Sequence, residues 1–232
     1  MLYRGYVATR NKKCIEAFKD RDDFKTLEEV QNLSEYAGIL AENTILIDID
    51  DAEQSEKLMD IVEEFQLNCK VIQTSRGKHF LFKNTELHSC RTHVRLAIGL
   101  QADIKVGFKA TYEVLKVDGV GRFVEWDIEQ NEQYELIPEW LFPIKSKVDF
   151  LNMDAGEGRN QELFNYILTL QSDGMGIEEI RKTIRIINRF VLKEPLSDEE
   201  LEVIIRDEAF QKPVFFNKST FLFDKFAAYI VN

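Results

Sequence analysis

Apolar residues recur along this chain with two spacings, and the change from one to the other divides it. The early runs are short. Residues 2–9 read as a strand that ends in the basic turn Arg10-Asn11-Lys12-Lys13. Residues 26–36 predict a short helix, with Thr26 as N-cap and Glu29 as its capping-box partner. Ile45, Leu46 and Ile47 form a branched apolar run that predicts a buried strand ending in Asp48, Ile49, Asp50 and Asp51. Leu58, Ile61, Val62 and Phe65 then fall at helical spacing and predict a helix over 53–65. Residues 69–74 and 79–82 predict two strands joined through Ser75-Arg76-Gly77-Lys78 as a hairpin. Strands are also expected at 94–98, 102–106 and 111–117, and Gly119 and Gly121 mark a hairpin turn leading into 122–126.

The character changes near Pro143. Ile177, Ile180, Ile184, Ile187 and Val191 alternate steps of three and four, placing them on one helical face. Ser197-Asp198-Glu199-Glu200 is a capping box, and Leu196 with Leu201 fits the accompanying hydrophobic staple. The expected fold class is therefore α+β, with a hairpin-rich mixed part followed by a small all-α part of three helices. Phe221, Leu222, Phe223, Phe226, Ala227, Tyr229 and Ile230 predict a last apolar helix, read as the opening of a further domain in a longer protein.

Composition narrows the class. At 232 residues the chain can build one large domain or two small ones. No stretch approaches a membrane span, and the first residues lack a signal-peptide core, so an intracellular, cytoplasmic protein is expected. Cys14, Cys69 and Cys90 are scattered without a CxxC pair, as expected of reduced thiols. A net charge of −11 argues against a protein that coats nucleic acid by bulk electrostatics, although it leaves room for a nucleic-acid enzyme with a local basic surface.

The acids at the end of the apolar strand carry the chemistry. Strand side chains alternate between faces, so Asp48 and Asp50 project together while Asp51 points away and is better read as the cap of the next helix. Two carboxylates this close repel unless a cation lies between them, and carboxylate oxygens are the ligands Mg²⁺ and Mn²⁺ prefer. On the motif alone, a metal site and a plain strand end are both open. The turn Ser75-Arg76-Gly77-Lys78 offers N–H groups, a hydroxyl and cations to a polyphosphate, and His79 opens the strand after it. Asp103, two residues before Lys105 in a strand-like segment, needs a partner or a metal if it is buried and lies on a solvated face otherwise. His88, Cys90 and His93 offer two imidazoles and a thiol but no fourth ligand at tetrahedral spacing, so zinc is not expected there. Arg181, Arg185 and Arg189 recur every four residues opposite the isoleucine stripe, which suits either a nucleic-acid surface or a solvated face paired with glutamates.

Taken in order, the strand ending in Asp48 and Asp50, a helix, the Gly77-Lys78-His79 hairpin and the Ala102-Asp103 strand resemble the archaeo-eukaryotic primase superfamily. The similarity is to its primase-polymerase branch, found in phages, plasmids and other mobile elements. Gly158-Arg159-Asn160-Gln161-Glu162-Leu163-Phe164, Asn188-Arg189-Phe190 and Pro195 through Leu201 resemble the small helical domain that follows the primase module, so the similarity spans about residues 20–212. The resemblance implies an RRM-like antiparallel or mixed sheet with packed helices over 1–147 and a helical primase C-terminal domain over 148–212. A tail over 213–232 would lead toward a helicase. It further implies template-directed nucleotidyl transfer with two Mg²⁺ or Mn²⁺ ions on Asp48, Asp50 and Asp103. Ser75, Arg76, Lys78, His79 and Lys105 would then act on the nucleotide triphosphate. The expected partners are a single-stranded DNA template, a primer strand and ribo- or deoxyribonucleoside triphosphates, with a linked or associated helicase. The sequence departs from many relatives after Asp103, where Lys105-Val106-Gly107-Phe108-Lys109 replaces a Gly-Gly strand and no Pro-Pro-Ser turn follows. Two rival classes are a non-catalytic DNA-binding replication-initiation module and a metal-dependent nuclease or nucleotide-sugar transferase, which also use paired aspartates.

Overall fold

The computed structural model describes residues 1–153 and 158–210 of the chain. In chain order the elements are β1 (Tyr3–Arg10), β2 (Lys13–Cys14), α1 (Leu27–Val30), β3 (Tyr36–Leu40), β4 (Thr44–Ile49), α2 (Ala52–Phe65), β5 (Lys70–Gln73) and β6 (Lys78–Lys83). They continue as β7 (Arg91–Leu96), β8 (Gln101–Val106), β9 (Tyr112–Val117), β10 (Val120–Gly121), β11 (Val124–Trp126), β12 (Pro143–Ile144), α3 (Arg159–Ser172), α4 (Ile177–Ile186) and α5 (Asp198–Ile204). The strands form two antiparallel sheets, a five-stranded one ordered β10-β9-β3-β1-β2 and a seven-stranded one ordered β11-β5-β6-β4-β8-β7-β12. The fold class is α+β, as the sequence predicts.

Strand β4 lies at the centre of the larger sheet, and its alternation separates two cores. Ile45, Ile47 and Ile49 face α2 and the C-terminal helices in the largest apolar cluster, whereas Leu46 packs with Leu2, Leu40, Ile72 and Leu81 between the sheets. Strands β4 and β5 are each antiparallel to β6 between them and are joined through α2, so they run parallel in a split β-α-β unit. The helices of the last third pack on the larger sheet. Leu163, Ile167, Leu170, Ile180 and Ile184 belong to the same cluster as Ile45 and Phe80, and the Tyr166 hydroxyl donates to Ala97 O at 2.7 Å.

Three local expectations change. The helix over 26–36 stops after one turn at Val30, its only buried residue, and 36–40 is instead a strand held between β1 and β9. The hairpin at Gly119 forms, but 124–126 does not return along β9. It crosses to the larger sheet and pairs with β5, and Trp126 Nε1 donates to Leu67 O at 2.9 Å. Ile180, Ile184, Ile187 and Val191 of the isoleucine stripe are buried while Ile177, in the first turn, is 46% exposed, and α4 ends at Ile186 with the backbone continuing as a π-helical turn over Ile187–Val191. The apolar helix expected at 221–230 lies outside the described residues. Among the described residues no helix is long and apolar enough to cross a membrane.

Candidate functional site

Register brings the predicted acids and histidine together. Asp48 on β4 pairs across the ladder with His79 on β6 and with Asp103 on β8. Directly opposed strand residues project to one face, here the face turned toward the smaller sheet. Two cavities meet at this point. One of about 550 Å³ is lined by Ser75, Arg76, His79, Lys105, Lys109 and Arg122 among others, and is largely basic. The other, about 240 Å³, is lined by Asp48, Asp50, Asp51, Asp103 and His93 and is acidic. Asp48 and Asp50 line both.

The cations that the paired carboxylates demand come from the protein. Lys105 Nζ lies 2.9 Å from Asp48 Oδ2, and Arg76 donates to Asp50 Oδ2 at 2.5 Å. Burial alone would raise the Asp48 carboxyl. The adjoining His79 and the Lys105 ammonium outweigh it and hold the group well below the ordinary carboxylate range. His79 Nε2 stands 3.2 Å from Asp48 Oδ1, but off the line of a hydrogen bond, so this buried oxygen has no aligned donor.

On its far side His79 Nδ1 meets Glu113 Oε1 of β9 at 2.7 Å, and the second oxygen of Glu113 accepts from the Tyr3 hydroxyl of β1. The pair thus ties the two sheets together. Arg122 Nη1 also approaches Nδ1, at 3.1 Å. A guanidinium only donates, so it competes for this nitrogen only when the ring is unprotonated there. The nearer and fully buried carboxylate decides the matter in favour of N–H. Burial would lower the His79 pKa, and Asp48 and Glu113 together raise it above the ordinary histidine value instead.

Backbone detail sets the rims. Between β5 and β6 the Thr74 amide donates to Gly77 O at 2.9 Å, and Thr74 Oγ1 accepts from the Arg76 and Gly77 amides. A Cβ at Gly77 would lie 2.0 Å from Ile49 O, so only glycine lets this turn close over the end of β4. Ser75 and Arg76 are thereby carried to the cavity beside Asp50. On the acidic side β7 bulges between Arg91 and Val94, where His93 takes φ 51° and its amide donates to Asp103 Oδ1 at 2.8 Å. Asp51 caps α2 through the Gln54 amide at 2.8 Å, the role its alternation predicts.

Other candidates are placed elsewhere. Lys78 points to the face opposite His79 and is 2% exposed, its ammonium between Glu56 at 3.0 Å and Glu125 at 2.6 Å, so it does not line the cavity. Arg181 pairs with Glu178 and Asp207, Arg185 with Glu202 and Arg189 with Glu64, so the arginine row is matched by acids along its length. His88 sits edge-on to Phe108, Cys90 lines the basic cavity and His93 lines the acidic one. Sequence reasoning missed Glu113, Lys109 and Arg122. The rule applied to Asp103, that an acid on a buried strand face needs a partner, would have found Glu113, which shares its face with Leu115.

Among the described residues no three His, Cys, Asp or Glu side chains stand close enough together to hold an ion as placed. The donor set nevertheless suits a hard divalent cation. Asp48, Asp50 and Asp103 offer only carboxylate oxygens, and Asp48 Oδ1 is a buried acceptor without an aligned donor. No protein-family model, curated protein or solved structure matches the chain.

Proposed function

We propose that the chain is a primase-polymerase, which joins a primer 3′ oxygen to the α-phosphorus of a nucleoside triphosphate on a single-stranded template and releases pyrophosphate. The observation that carries this reading is the junction of an acidic and a basic cavity at Asp48 and Asp50. Asp48, Asp50 and Asp103 are the residues that would hold divalent ions, Mg²⁺ or Mn²⁺. Such ions, when bound, supply Lewis acidity and neutralise phosphate charge.

The chain's own groups do the positioning. Arg76, Lys105, Lys109 and Arg122 gather at the cavity where a triphosphate would lie, and Ser75 adds a hydroxyl at its rim. Arg76 and Lys105 are also the cations that neutralise Asp50 and Asp48 here. Divalent ions at the carboxylates would free both for phosphate, so the two ligands reinforce each other's binding. His79, fixed by Glu113, presents Nε2 to the same place. No side chain forms a bond to substrate, and the rate comes from orientation and charge compensation. Primer synthesis of this kind would serve replication of a mobile element, with a helicase as the natural partner.

The self-contained ion pairs also suit the rival, a DNA-binding module without activity. One gel separates the readings. The protein is incubated with Mn²⁺, single-stranded template and either ribo- or deoxyribonucleoside triphosphates. Template-dependent products are expected. Cleavage of the template without synthesis would make the protein a nuclease, and binding without either product would favour the inactive module.

A further inference from the structure

The turn after β8, a 3₁₀ stretch over Gly107–Lys109, presents an aromatic ring to solvent. Phe108 is 59% exposed. Exposed apolar residues are ordinary when scattered singly, but Phe108 has a second ring and a cation beside it, and its backbone is held on both sides. A Cβ at Gly107 would lie 1.8 Å from Ala41 O, so the turn is pressed against the chain that enters β4. Ala110 takes φ 49° and its amide donates to Gly107 O at 2.9 Å, while Thr111 Oγ1 donates to Val106 O at 2.9 Å. The His88 ring meets Phe108 edge-on, with centroids 6.0 Å apart, and the Lys109 ammonium lies 5.3 Å from the ring centre. Lys109 itself lines the basic cavity that contains Asp48 and Lys105. An exposed ring on a constrained turn, with a cation near it and a second aromatic at its edge, thus adjoins the candidate site through Lys109, on a chain whose net charge of −11 offers little general attraction for a polyanion.

We infer that Phe108, with Lys109 and His88, is a stacking platform for a base of a single-stranded nucleic acid entering the cleft. Unpaired bases expose π-faces that any aromatic side chain can accept, and a neighbouring cation matches the backbone phosphate. A duplex keeps those faces covered, so this surface selects single strands. The inference rests on the polymerase reading and names where its template strand is held.

Binding of a fluorescein-labelled oligothymidylate is measured by anisotropy on the full chain at low salt, without nucleotide. Phe108→Ala is expected to weaken binding at least about fivefold, the low end for one base–aromatic stack, with unchanged thermal melting. Phe108→Trp is expected to bind as wild type, and its added indole emission is expected to be quenched by the unlabelled oligonucleotide. Phe108→Ala binding within twofold of wild type, or an unquenched Phe108→Trp that still binds, would overturn the inference. The two readings fail separately: a Phe108-dependent affinity in a protein that makes no primer keeps this platform and sinks the polymerase, and primer synthesis indifferent to Phe108 does the reverse.

Discussion

Asp48 is neutralised from two neighbouring strands, by His79 on one side and Lys105 on the other, and His79 is in turn fixed from the second sheet by Glu113 and Tyr3. Removing Glu113 therefore strips two buried groups of their acceptor. Glu113→Ala is expected to cost about 1–3 kcal/mol in denaturant unfolding, the usual penalty for leaving a buried donor unpaired, and Glu113→Gln less, because its amide oxygen still accepts one bond. An alanine variant as stable as wild type would mean that the pair contributes nothing. The raised His79 pKa gives a second expectation. A histidine whose folded pKa lies above its unfolded value contributes stability fully below the unfolded value, roughly pH 6.5, and loses it as pH rises through the folded one. In chelator, the melting difference between wild type and His79→Gln should be larger at pH 6 than at pH 9. A difference independent of pH would show that His79 is not charged in the folded protein.

Elements act here by where they deliver side chains. The Thr74–Gly77 turn reaches Asp50 only because Gly77 lacks a Cβ against Ile49 O. Gly77→Ala is expected to cost about 1–3 kcal/mol, as overpacking does, and to weaken nucleotide binding by displacing Arg76. Unchanged melting and unchanged nucleotide affinity would contradict both. Most strands were legible because branched runs bounded by polar turns have few other readings, and the 53–65 helix was legible from its spacing. Residues 36–40 were not, since Tyr-Ala-Gly-Ile-Leu has no alternation and derives its strand identity from β1 and β9 on either side. The alternation that excluded Asp51 from the acid pair also excludes Lys78 from the face of His79. Lys78 and His79 are strand neighbours and cannot share a face, and the sequence reading grouped them nonetheless. The acids that pair with the arginine row, Glu64, Glu202 and Asp207, come from other elements, so spacing along the helix could not show them.

At the scale of the whole molecule, the helical part and the larger sheet share one apolar cluster. Cutting the chain at residue 147 would expose the sheet face under Leu163, Ile167, Leu170, Ile180 and Ile184. Each such side chain is worth roughly 1.5–3 kcal/mol against a total stability of about 5–15 kcal/mol. A fragment of residues 1–147 is therefore expected to bind a hydrophobic dye and to melt without cooperativity; a cooperative transition like that of the full chain would show an independent domain. That closeness was hidden in the sequence, where the change of periodicity near Pro143 suggested a boundary and pattern alone cannot say which faces meet. The order of Asp48, His79 and Asp103 along the chain, by contrast, already contained the cluster that the register assembles. The central claim is that this cluster is a nucleotidyl-transfer site, and it is tested most directly by Asp48→Asn combined with Asp50→Asn in the Mn²⁺ primer-synthesis gel. The variant keeps side-chain shape and removes charge. Loss of all product by a variant that still melts cooperatively and keeps oligothymidylate affinity near wild type is the expected result; synthesis at the wild-type level by that folded variant would contradict the account.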